Sequence, residues 1–175
     1  MKLSKSIFSL IVIAIAFISF SCEKDEAGMK KTIFVDPSSN AVFNLDNQAQ
    51  LNQLANTIIG KRKDAELTKD ASIIDLRDSK GPYKALSIEF KMSGDLTSMI
   101  VPISEAVADD LMKLGKRKEG VTYYVTDPAG CEMTCKVVNN CSKCTQEIIE
   151  KCQSQTCTCN SVSGGCEGSI TFPSN

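Results

Sequence analysis

Ala85-Leu86-Ser87-Ile88-Glu89-Phe90-Lys91-Met92-Ser93-Gly94-Asp95-Leu96 is the stretch whose reading decides the fold. Leu86, Ile88, Phe90 and Met92 alternate with Ala85, Ser87, Glu89 and Lys91. A period of two puts the large apolar side chains on one face of a strand, so this strand is half-buried on a core. Ser93-Gly94-Asp95 supplies a turn, and a second run over residues 96–103 returns from it. Residues 84–103 therefore read as an antiparallel hairpin. Pro102 has no N–H to give a ladder, which argues for an edge or a strand end there.

Upstream, Leu51, Leu54, Ala55, Ile58 and Ile59 fall at i, i+3, i+4, i+7 and i+8, one apolar stripe of a helix. Asp46 is its expected N-cap and Gly60 its C′ residue, with Lys61-Arg62-Lys63 beside the negative end of the dipole. Thr32-Ile33-Phe34-Val35 is a short β-rich run that ends at the turn cluster Asp36-Pro37-Ser38-Ser39. Residues 72–76 form a weaker strand, and Gly81-Pro82 breaks the chain before the hairpin. Downstream, Ser104 reads as an N-cap, Val107, Leu111 and Leu114 as a second short amphipathic helix, and Gly115 as its end. Residues 121–125 make a last strand, with Tyr123 and Tyr124 on opposite faces. The expected order is β-α-β-β-β-α-β. That is an α+β body over residues 32–126, a mainly antiparallel sheet with two amphipathic helices on one face. Gly60-Lys61-Arg62-Lys63 and Gly115-Lys116-Arg117-Lys118 echo each other. Two basic turns gripping a polyanion is one reading. Helix ends complementing the dipole is the simpler one and needs no ligand.

The chain has nine cysteines, and eight of them crowd the end: Cys131, Cys135, Cys141, Cys144, Cys152, Cys157, Cys159 and Cys166. An even number in a short polar segment reads as a disulfide framework. A metal reading competes, but the only C-x₂-C is Cys141-Ser142-Lys143-Cys144, with no second one downstream to complete a zinc ribbon. Residues 127–175 are expected to be a small, partly helical, disulfide-rich module. Asp127-Pro128 would open one helix carrying Cys131 and Cys135. Cys141, Cys144, Ile148 and Cys152 would share a face of a second. Cys157 and Cys159 flank a single residue and are expected to pair elsewhere than with each other. Eight cysteines allow 105 pairings, so no connectivity follows. The segment has few large apolar residues, and cross-links have to supply its stability.

The ninth cysteine stands apart. Lys2 and Lys5 precede an apolar run over residues 7–20, and Ser19-Phe20-Ser21-Cys22 follows its end. This run is the length of a secretory signal and short for a membrane span. The order of basic residues, apolar run, small residue and cysteine resembles the lipobox of bacterial lipoproteins, although that family prefers Leu and a small residue where Ser19 and Phe20 stand. The resemblance implies a signal peptide over residues 1–21, cleavage before Cys22, lipidation of its thiol and acylation of its new amino group. Several acyl chains anchor stably where one would be marginal. Lys24, Asp25 and Glu26 resemble the export signal of Bacteroidota surface lipoproteins. This implies an outer-membrane, lipid-anchored protein facing the cell exterior, with residues 22–31 as its tether.

Removing Lys2 and Lys5 takes the formal net charge from −1 to −3, which gives no electrostatic reason for a nucleic-acid partner. Without histidine, Ser-His and Cys-His nucleophile pairs and imidazole metal sites are excluded. No acidic pair stands out as catalytic, and no cofactor motif occurs. The sequence thus favours a non-enzymatic binding or structural lipoprotein with an unidentified protein or glycan ligand. The alternative is a metal-binding or thiol-redox lipoprotein acting through its terminal cysteines.

Overall fold

The hairpin of residues 84–103 is the centre of the molecule. The computed structural model describes residues 31–36, 39–107, 111, 115, 119–127 and 130–172. In chain order its elements are β1 (Lys31–Val35), β2 (Val42–Asn44), α1 (Gln48–Ile59), β3 (Ala65–Leu67), β4 (Ser72–Asp78), β5 (Gly81–Met92) and β6 (Asp95–Glu105). There follow β7 (Val121–Thr126), β8 (Glu132–Val138), β9 (Cys144–Glu150), β10 (Ser154–Cys159) and β11 (Gly165–Thr171). β5 and β6 pair from Lys84↔Ile103 to Met92↔Asp95, around a turn in which Ser93 and Gly94 both take positive φ. Gly81-Pro82 does not break the chain: it starts β5, and β4 pairs along β5 as far as Asp78↔Gly81.

The other edge of β6 is shared. β7 pairs with Ile103, Ser104 and Glu105, and β8 pairs with residues from Thr97 to Ile100. Pro102 lies between these two ladders, and its carbonyl accepts from the Asp127 N–H at 3.2 Å. In an antiparallel ladder one residue turns its N–H and C=O to the same side, so the missing donor of Pro102 faces the break between β7 and β8. The proline is thus tolerated in a central strand because its neighbour changes there. β1 lies parallel to β7 and antiparallel to β2, while β11 flanks β8, giving a nine-stranded sheet. β9 and β10 form a separate two-stranded sheet.

One face of the central hairpin carries Leu86, Ile88, Phe90, Met99, Val101 and Ile103, and α1 covers it with Leu51, Leu54, Ala55 and Ile59. Leu86, Ile88 and Phe90 and the four helix residues belong to the two stripes legible in the sequence, and Met99, Val101 and Ile103 come from the returning run. The N-cap is Asn47, whose side chain accepts from the Gln50 N–H at 3.1 Å. Asp46 instead accepts from the Thr32 N–H at 2.7 Å and ties β1 to the helix start. Gly60 keeps a right-handed φ of −61°, so its role is close approach: a Cβ there would lie 2.8 Å from the Asn56 carbonyl oxygen. The opposite face carries Ala85, Ile100 and Met133, with Ile74, Leu76, Tyr83, Ile148 and Ile170 packed around them.

The expectation of an α+β body with two amphipathic helices is overturned. The fold is mostly β, and α1 is the one helix of seven or more residues among those described. Ser104 does not cap a helix. β6 runs on to Glu105 because β7 supplies a ladder there. Val107, expected on the apolar stripe, is 63% exposed, Leu111 is helical, and Leu114 lies outside the described residues. The partly helical tail is overturned as well. Cys131 directly precedes β8 and Cys135 lies in its middle, and Cys144 and Ile148 lie on β9. A spacing of four residues fits one face of a helix and one face of a strand equally. The Thr, Val and Ile residues between the cysteines, among them Thr134, Val137, Thr145 and Ile149, favour the strand.

Candidate functional site

The eight terminal cysteines stand as four pairs at disulfide distance: Cys131–Cys152, Cys135–Cys157, Cys141–Cys159 and Cys144–Cys166. Each cysteine joins the fourth one after it. The Cα–Cα separations of 5.5, 5.8, 5.8 and 5.9 Å lie within the range that a disulfide bridges. The cause is geometric. Ile100 and Met133, and Ser98 and Cys135, are register partners, so Cys135 shares the hairpin face opposite α1. The β9–β10 hairpin lies over that face. Two pairs join it to Cys131 and Cys135 at β8, one joins it to β11 through Cys166, and one joins it to the β8–β9 turn through Cys141. That turn bends through Asn139 and Asn140, both with positive φ. Gly164 touches it: a Cβ there would lie 2.5 Å from the Cys141 Cα.

Between the sheets the contacts are polar as well as apolar. The Gln146 amide donates to the Met133 carbonyl at 2.8 Å, and the Gln155 amide donates to the carbonyls of Thr134 at 2.9 Å and Ser169 at 2.8 Å. Ser98 donates to Gln146 at 2.9 Å. At the far end Lys151 sits 5.3 Å from the Tyr83 ring centroid and 2.8 Å from the Asp127 carboxylate. The Tyr83 hydroxyl is buried without a partner. Burial, with help from the carboxylates of Asp78 and Glu150, pushes its pKa up to about 12.

The other concave feature lies on the helix side. A cleft of about 310 Å³ opens where β7 gives way to β8, between the last turns of α1 and the sheet. Its apolar lining is Phe34, Leu54, Ile58, Val101 and Pro102, with Thr57, Lys61, Asp36, Asp127 and Glu132 among its polar lining. Glu132 is paired with Arg62, whose guanidinium lies 6.0 Å from the Phe90 ring centroid. Pro102 causes the cleft: without a donor at that point the edge of β6 takes a loop rather than a strand. The sequence points to Pro102 as irregular but not to the residues that meet there, because they come from five separate elements.

A second groove, about 500 Å³, shares Lys61 and Glu132 with the first and runs over Thr97, Thr134 and Ser169. Arg62 of the first basic turn faces it in an ion pair with Glu132, and its other guanidinium nitrogen donates to the Ile58 carbonyl at 3.3 Å. This is the helix-end role. The second basic turn, apart from Gly115, lies outside the described residues, as do the lipidation candidate Cys22 and the export-signal residues Lys24, Asp25 and Glu26. No helix among the described residues is long and apolar enough to cross a membrane. Comparison of the chain with protein-family models, with curated proteins and with solved structures found no match.

Proposed function

We propose that the chain is a non-enzymatic binding module, held by lipid on Cys22 at the outer membrane and facing the cell exterior. The observation that carries the reading is the cleft beside Pro102. It is lined by the apolar Phe34, Leu54, Ile58, Val101 and Pro102 and bordered by charged residues. Such a site favours an apolar side chain of a protein partner over a glycan, which needs many hydrogen bonds and an exposed aromatic platform. Phe34 is 2% exposed and Phe90 fully buried, so neither presents a ring face. The four cystines support an oxidising compartment, in agreement with export.

An apolar fluorescent probe is expected to bind with one-site saturation, and Thr57→Trp, which fills the mouth from an exposed helix position, to abolish that binding. Unchanged binding in T57W would move the ligand site elsewhere. Cys22→Ser is expected to release the protein from membranes into the soluble fraction. A variant that stays membrane-bound would end the anchor reading.

A further inference from the structure

The nine-stranded sheet guards its outer strands unequally. On β2 the Asn44 N–H is taken by the Gln50 side chain at 2.7 Å, and on β11 the Ser169 carbonyl is taken by the Gln155 amide at 2.8 Å. β3 is only three residues long. β4 differs. Its seven residues pair with β5 without a register shift, and no described strand pairs with its other edge. An edge strand with neither a proline nor a bulge presents alternate N–H and C=O groups ready for another strand. Ile73, Ile74 and Leu76 are half-buried there, so a neighbouring strand would cover apolar surface as well.

The charges on β4 say which strand fits. Asp75 and Arg77 lie two residues apart and so share a face. Arg77 has no ion-pair partner among the described residues. Asp75 is bonded to Lys84, but its side chain is 79% exposed, which leaves it open to a second cation. Facing residues of an antiparallel pair point to the same side of a sheet, so symmetric registers of two copies step by two residues. The register centred on Leu76 sets Asp75 of each copy opposite Arg77 of the other. A step either way sets Asp75 opposite Asp75 or Arg77 opposite Arg77, and like charges directly opposite are destabilising. Among these three registers the strand is complementary to itself in one. We propose that the protein pairs with a second copy of itself through β4, antiparallel about Leu76, and so extends its sheet across a two-fold axis.

Sedimentation equilibrium of the full chain, in detergent matched to the solvent density, should give twice the chain mass at micromolar concentration. Asp75→Arg alone and Arg77→Asp alone should each give the monomer mass, because each sets like charges opposite. An equimolar mixture of D75R and R77D should return the dimer mass, and so should the double variant Asp75→Arg/Arg77→Asp. A wild-type chain that sediments as a monomer would overturn the proposal. So would a dimer that either single variant leaves intact, because the contact would then lie elsewhere. Single variants whose mixture stays monomeric would overturn it too, because the loss would then not come from this pairing.

Discussion

The two faces of the β5–β6 hairpin are covered in opposite ways. On one, α1 seals Leu86, Ile88 and Phe90 with Leu51, Leu54, Ala55 and Ile59, and burial is the main bond between the layers, with Gln48 and Asn52 hydrogen-bonded to Ala71 at the rim. On the other, the β9–β10 hairpin brings few large apolar groups, chiefly Ile148, and is held by cystines and by the amides of Gln146 and Gln155. The difference teaches that a layer too polar to be held by area is held by cross-links, which act largely on the unfolded chain.

Complete reduction in the presence of a chelator should separate the two faces most sharply. Amide protons of β9 and β10 are expected to exchange freely while those of α1, β5 and β6 stay protected. Uniform loss of protection would mean the two layers fold as one unit. Next in size are single lesions on each side. Leu54→Ala should cost about 2–5 kcal/mol in urea unfolding, because the side chain is 2% exposed and leaves a cavity. Cys135→Ser with Cys157→Ser should cost about 2–5 kcal/mol, with the loss confined to the cystine-held layer in hydrogen exchange.

These two sides were not equally legible. The helix stripe at Leu51–Ile59 and the alternation at residues 85–92 each match one period only, and both stand in the structure. The tail gives spacings of four between Cys131 and Cys135 and between Cys144 and Ile148, which both periods satisfy, so the choice there needed the β-branched residues in between. Ser104 misled for a different reason. A serine ahead of apolar residues is a local cap signal, and the nonlocal pairing of Ser104 with Val125 overrode it. The pairing of the cysteines was illegible because it depends on which strands cross, and no local pattern encodes that.

Smaller effects sharpen the polar half of the contrast. Gln155→Leu should destabilise by about 1–3 kcal/mol, measured by urea unfolding with cystines intact, since it leaves the carbonyls of Thr134 and Ser169 without this donor. Tyr83→Phe should raise stability by about 1 kcal/mol at neutral pH, because it removes a buried hydroxyl that has no partner. Its signature lies at high pH. The folded pKa of Tyr83 is raised to about 12 from 10.0, so its protonation costs folding nothing below pH 10, and stability is lost as pH rises from 10 toward 12. Y83F should flatten that part of the decline in a pH series of unfolding curves.

The most direct measurement is a cystine map of the chain, digested without reduction under acidic conditions and sequenced by mass spectrometry. Cross-linked peptides joining Cys131 to Cys152, Cys135 to Cys157, Cys141 to Cys159 and Cys144 to Cys166 are expected. Local links, such as Cys131 to Cys135 or Cys141 to Cys144, would contradict the account, because they staple the tail to itself and leave the second face of the hairpin without its cover.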